Sequence, residues 1–179
     1  MIKQDVQVPG AVVLLMGRSF SGKSTVADEL AQALDARVLG YDAINAERGL
    51  RGGDGIPVED WLRTNTVAHS RAAVLLDADL TVVVDDTSSP RFLRDEWRQL
   101  ATDSRARFVL VFIDVATEVI QERLLANRGD AARHDVIDSV MADHLDAFDP
   151  PTSDEAHLHF DDTVHINTVV AAVRAALSQ

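Results

Sequence analysis

Short apolar runs alternate along this chain with longer segments whose apolar residues recur every three or four positions. Residues 11–16 are apolar without a break, as in a strand covered on both faces. In 25–34, Val26, Ala27, Leu30, Ala31 and Leu34 fall on one helical face. Residues 37–41 read as a short second strand. A long helix follows over 57–77, opened by Pro57. Its buried side is expected to carry Trp61, Leu62, Ala68, Ala72, Leu75 and Leu76, with His69 packed on or near that stripe. A third strand at 80–84 leads into a helix from Ser89-Pro90 to Ala101, whose Arg91, Arg94 and Arg98 are expected in solvent. Residues 108–113 form the fourth strand, and helices are expected at 117–126 and 136–148, the latter stopped by Asp149-Pro150-Pro151. His157, His159 and Asp161 alternate in a last strand and so share a face, best read as the exposed face of an edge strand rather than a metal site. Asn167 is placed to cap a final helix to about Leu177. This alternation predicts an α/β domain spanning 1–179, with a central, mostly parallel five-stranded sheet and helices on both faces.

Composition narrows the chemistry. Apolar residues make up 46% of 179, enough for a substantial core. Cysteine is absent, which removes disulfides, thiolate catalysis and Cys-based zinc sites together. Neither a signal-peptide core nor a bilayer-length apolar run is present, so a soluble cytoplasmic protein is expected. Net charge is −12, with Lys3 and Lys23 as the two lysines, which argues against a nucleic-acid partner.

The chemistry-bearing stretch is Gly17-Arg18-Ser19-Phe20-Ser21-Gly22-Lys23-Ser24, a G-x-x-x-x-G-K-S between an apolar strand and a helix. Glycines let backbone N–H groups turn inward around an anion, and the helix N-terminus adds its positive end. The expected ATP cradle comprises Gly17, Ser19, Ser21, Gly22, Lys23, Ser24 and Thr25, with Lys23 on the β- and γ-phosphates and the Ser24 hydroxyl on Mg²⁺. Asp42 stands at the carboxyl end of the second strand, where ligands of open α/β sheets bind. Asp85-Asp86-Thr87 ends the third, and an apolar strand ending in acid supports Mg²⁺ or the reacting group; alternation favours Asp86. The absence of a following Glu favours transfer to a bound acceptor over hydrolysis. A Gly-broken, arginine-rich segment at 123–136, with Arg123, Arg128, Arg133 and His134, reads as a lid bringing cations to phosphoryl oxygens. Gly49 to Gly55 reads as a mobile loop, and 42–63 as the acceptor pocket.

The P-loop, Tyr41-Asp42-Ala43-Ile44-Asn45, Val84-Asp85-Asp86-Thr87 and Glu122-Arg123 through Arg128-Gly129 together resemble the P-loop kinases related to phage-type polynucleotide kinase. Chloramphenicol phosphotransferase and zeta-toxin kinases have a similar layout. The resemblance implies transfer of the γ-phosphoryl of ATP to a hydroxyl, with Asp42 as general base and Lys23 and Arg128 assisting catalysis. It puts Arg123, Arg128 and Arg133 on the ATP phosphates, and Asp86 on substrate or metal positioning. Asn45 stands where polynucleotide kinases tend to carry a phosphate-binding Arg, and Arg48 offers a cation at a different spacing. That departure favours a small hydroxylated acceptor (a nucleoside, sugar or antibiotic-like molecule), contacted by Asp42, Asn45, Arg48 and Asp86. Polynucleotide 5′-hydroxyl kinase and a non-catalytic nucleotide switch are the alternatives.

Overall fold

The computed structural model describes residues 10–51, 55–130 and 136–179. Five strands, β1 (Ala11–Met16), β2 (Arg37–Gly40), β3 (Val82–Asp85), β4 (Arg107–Asp114) and β5 (Leu158–Asp161), form one sheet in the order β2-β3-β1-β4-β5. Every pairing is parallel. Val12 of β1 sits between Val82 and Phe108, so the central strand is paired along both edges. The helices are α1 (Lys23–Leu34), α2 (Tyr41–Glu47), α3 (Val58–Asp77), α4 (Arg91–Asp103), α5 (Thr117–Asp130), α6 (Asp138–Asp146) and α7 (Ile166–Leu177).

Alternation along β1 divides the core into two layers. Val13 and Leu15 join Val26 and Leu30 of α1, Ile120 of α5 and Val169 and Val173 of α7. Val12, Leu14 and Met16 face the other way, onto Ile44 of α2, Ala68, Ala72 and Leu76 of α3 and Trp97 of α4. Each fully buried aliphatic side chain contributes roughly 1.5–3 kcal/mol, so the first strand anchors both layers. It therefore fixes the loop that leaves its carboxyl end.

Several local expectations are corrected. Tyr41 leaves the sheet and opens α2, because its buried ring packs with Ile44 in the second layer. On α3, Leu62 is exposed, while Thr64 and Asn65 are buried on the stripe of Ala68, Ala72 and Leu76. Arg94 is not in solvent: it is fully buried, because Glu155 supplies a buried counter-charge. Gly129 does not break the chain, since α5 runs through it to Asp130. The last helix is capped by His165, whose ring accepts the Asn167 amide; Asn167 is already helical. His69 packs as expected, stacked on Trp97 at 4.0 Å.

Candidate functional site

The loop after β1 takes a conformation that few other sequences could follow. Gly17 has φ 155° and Gly22 φ 99°, and Phe20 between them is left-handed at φ 63°. A Cβ on Gly17 would lie 2.5 Å from the Ile113 carbonyl oxygen and 2.9 Å from Ser21 Oγ. The Gly17 amide donates to Thr87 O at 3.3 Å, tying the loop to the end of β3. Gly22 then serves as N-cap of α1, putting Lys23, Ser24 and Thr25 in the first turn, where N–H groups lack helical partners. Lys23 is nearly buried and its Nζ donates to Arg18 O at 2.9 Å, so the ammonium folds back over the loop. Ser21 Oγ is buried with no hydrogen-bond partner among the described residues. These turned-in donors, with a lysine above them, fit a polyphosphate.

A cleft of about 980 Å³ opens from this loop. Ser19, Gly22, Lys23, Ser24 and Thr25 line one end, and Tyr41, Asp42, Asn45, Asp85, Asp86 and Ser88 line the crevice beyond the strand ends. Asp42 lies in the first turn of α2, exposed to the cleft. Asp86 accepts from the Ser88 amide at 2.8 Å and the Ser88 hydroxyl at 3.2 Å. Burial pushes its carboxyl above the ordinary aspartate range, against the opposing pull of the Ser88 amide and the nearby Lys23 ammonium. Beside an ammonium, and with the Ser24 hydroxyl on the same cleft, Asp86 is a suitable oxygen donor for a hard divalent cation.

Sequence reasoning missed the polar brace under these carboxylates. Tyr41 OH donates to Asn65 Oδ1 at 2.5 Å, and Asn65 Nδ2 donates to Glu96 Oε2 at 2.9 Å. Burial, and then the Asp86 charge, push the Tyr41 phenol far above its usual range, so it stays a neutral donor. Thr64 Oγ1 donates to Asn45 Oδ1 at 2.5 Å. Arg48 is drawn onto Asp60 O at 2.6 Å and onto Thr64 Oγ1. Asn45 thus lines the cleft with a braced amide, whereas the Arg48 guanidinium is occupied by α3. The signal was present: Thr64 and Asn65 occupy the apolar stripe of α3, where a polar pair needs partners.

The expected lid cations take two positions. Arg123 lies over the phosphate loop, donating to Phe20 O at 3.1 Å and Ser21 O at 2.9 Å. Arg128 reaches Val136 O at 2.9 Å and Asp138 Oδ1 at 2.7 Å, binding the end of α5 to the start of α6. Arg133 and His134 lie outside the described residues. A second cavity of about 390 Å³ runs from Gly22, Thr25 and Arg123 to Asp161, Asp162, Val164 and Ile166. It adjoins the phosphate loop on the side away from Asp42 and has the apolar walls and flanking guanidinium that suit a planar base. Along β5, His159 Nε2 contacts Asp114 Oδ2 at 3.2 Å and Asp161 accepts from Thr163, so both are engaged in local pairs.

Comparison with known proteins agrees with this geometry. Residues 12–151 match a family described as AAA domain. A probable gluconokinase of Rattus norvegicus is 26% identical over 96% of this chain and all of its own length. The adenylyl-sulfate kinase of Saccharomyces cerevisiae is 30% identical, covering 89% of this chain and 78% of its own. The crystal structure of a gluconokinase from Sinorhizobium meliloti 1021 superposes with a TM-score of 0.67 at 23% identity, over 96% of this chain and 93% of that one, a likeness of fold. Among the described residues, no helix is long and apolar enough to cross a membrane. Because the family match runs unbroken from β1 past the crevice carboxylates to the segment after α6, the chain belongs to the AAA domain family and is a P-loop phosphotransferase of the ATP-dependent kinase type.

Proposed function

We propose that the protein transfers the γ-phosphoryl group of ATP to a hydroxyl of a small molecule, with Asp42 as general base. The observation that carries this reading is that Asp42 and the Lys23-Ser24 end of the phosphate loop line one cleft, with Asp86 between the strand ends. The acceptor oxygen forms a new bond to the γ-phosphorus as the bond to the bridging oxygen of ADP breaks, and the hydroxyl proton passes to the Asp42 carboxylate. Little covalent chemistry is asked of the protein; positioning and charge neutralisation carry the rate. Lys23 neutralises charge on the β- and γ-phosphoryl oxygens, and Arg123 fixes the loop from above. Arg128, which contacts Val136 O and Asp138 Oδ1 here, is the second guanidinium we assign to the phosphates. Ser24 and Asp86 would hold a Mg²⁺ ion, which would supply neutralisation of the developing phosphoryl charge. The smaller cavity beside Arg123 takes the base.

The relatives support a small acceptor, being named for gluconate and adenylyl sulfate. Arg48 supports it too, since the cation closest in sequence to a nucleic-acid phosphate contact is held by Asp60 and Thr64. The test is a panel of nucleosides, sugars, hydroxylated antibiotics and 5′-hydroxyl oligonucleotides with ATP and Mg²⁺, followed by phosphorus NMR for a phosphomonoester. A small-molecule phosphate ester is expected. Transfer confined to the oligonucleotides would contradict the reading.

A further inference from the structure

The turn that carries Asp86 is built more tightly than a strand end requires. Ser88 is 1% exposed and left-handed at φ 48°, a conformation that non-glycine residues keep mainly where their surroundings enforce it. The enforcement comes from three directions. The fully buried Arg94 donates through Nη1 to Ser88 O at 3.1 Å and to Ser89 O. The Asp149 amide, beyond α6, donates to Ser89 Oγ at 2.8 Å. The Gly17 amide of the phosphate loop donates to Thr87 O at 3.3 Å. Relaxing Ser88 would therefore disturb contacts to the phosphate loop, α4 and the chain after α6 together.

The left-handed turn has a direct consequence for Asp86. It brings the Ser88 amide to 2.8 Å and the Ser88 hydroxyl to 3.2 Å from the same carboxylate oxygen, Oδ2. An amide contact alone is the ordinary turn of an aspartate with the residue two positions on. Here the hydroxyl takes the second lone-pair direction of that oxygen as well. Oδ2 is thus closed, and a cation meets this carboxylate through Oδ1. Asp86 and Ser88 line the cleft together with Ser24. The closure matters because the two common hard cations use carboxylates differently. Mg²⁺ takes single oxygens in a compact octahedron, whereas Ca²⁺ is larger, accepts more oxygens and readily takes both from one carboxylate.

We propose that Ser88 is a positioning residue: by holding Oδ2 with two donors it makes Asp86 a one-oxygen ligand, and so sets the preference of the nucleotide site for Mg²⁺ over Ca²⁺. This rests on the phosphotransferase reading above only in taking Ser24 and Asp86 as the residues that hold the cation. The test reads cation binding directly. The protein is saturated with a non-hydrolysable ATP analogue and titrated with Mg²⁺ or with Ca²⁺ in a calorimeter, with the analogue alone as blank. Ser88→Ala removes the hydroxyl and leaves the backbone as strained as before; Ser88→Gly removes it and suits the left-handed backbone, so strain does not put the fold at risk. In both, the ratio of Mg²⁺ to Ca²⁺ affinity is expected to fall about fivefold, with Mg²⁺ weaker and Ca²⁺ equal or tighter. Affinity for the analogue alone, measured in EDTA, should not change, and Asp86→Asn should weaken both cations. A wild-type ratio in both Ser88 variants would overturn the proposal. So would a loss of affinity in EDTA as large as the loss for Mg²⁺, which would make Ser88 a structural residue of the turn. Wild-type binding of both cations by Asp86→Asn would remove the cation assignment and this inference with it. Phosphoryl transfer takes no part in these measurements, so the kinase chemistry, assayed separately, stands or falls by itself.

Discussion

Gly17 carries two constraints at once, a left-handed backbone and a carbonyl oxygen 2.5 Å from where a Cβ would sit. Gly17→Ala should therefore distort the phosphate loop and cost on the order of 1–3 kcal/mol, read as a lower melting temperature and weakened nucleotide affinity together. Lys23→Ala has a different signature. It removes an ammonium from the cleft without changing the loop's backbone requirement, so nucleotide affinity should fall far more than stability. The loop carrying Gly17 and Lys23 was legible in the sequence, because a G-x-x-x-x-G-K-S between an apolar strand and a helix puts its lysine and serine in that helix's first turn. The place of Asp42 and Asp86 on the cleft was legible for a related reason, as acids just beyond the carboxyl ends of adjacent parallel strands. Arg94 was not. A fully buried arginine is tolerable only with a partner, and its partner, Glu155, stands 61 positions away, on a segment no local pattern connects to α4.

That pair holds elements together. Arg94 donates through Nε to Glu155 Oε2 at 2.8 Å and through Nη2 to Glu155 Oε1 at 2.7 Å, and reaches Ser88 O and Asp149 O at 3.1 Å. It joins α4 to the Asp86-Ser88 turn on one side and to the chain after α6 on the other. Arg94→Met should cost about 3–5 kcal/mol, because Glu155 would remain buried without its counter-charge. The double variant with Glu155→Gln should recover part of this, and chemical denaturation of the three proteins would show it. The hydrogen bonds from Arg94 hold the Glu155 carboxyl down at about 2. A carboxylate depressed in the folded state contributes stability above its unfolded pKa, roughly 4.3, and loses that contribution as pH falls toward the folded value. Denaturation midpoints should therefore drop between these limits, and drop less in the double variant. At this scale the sheet and long helices were readable from periodicity, while α2 was not. Seven residues give too short a window for a helical period, and Tyr41 beside a strand looks like more strand until its ring finds Ile44 and Asn65.

For the whole molecule, the acidic balance of −12 contrasts with a site that must hold a polyanion. On the proposed reading the contrast is resolved locally, by the loop amides with Lys23 and Arg123 beside them, rather than by the average field. Binding stabilises the fold by mass action: at a hundredfold excess over Kd the gain is about 2.7 kcal/mol, or roughly 5–10 °C in melting temperature for a domain of this size. Calorimetry with Mg²⁺ and an ATP analogue should show that shift, and Lys23→Ala should abolish most of it. The parallel character of the sheet was legible, since near-continuous apolar strands require covering on both faces; the apolar side of the cleft was not, because Leu50, Trp61 and Phe92 meet only in the fold. The central claim is that Asp42 accepts the proton of a bound hydroxyl. Its most direct test is single-turnover phosphoryl transfer by wild type and Asp42→Asn, with nucleotide affinity measured alongside. Transfer slowed by roughly 10²–10⁴ with ATP affinity unchanged is the expected result. Transfer within a few-fold of wild type would contradict it.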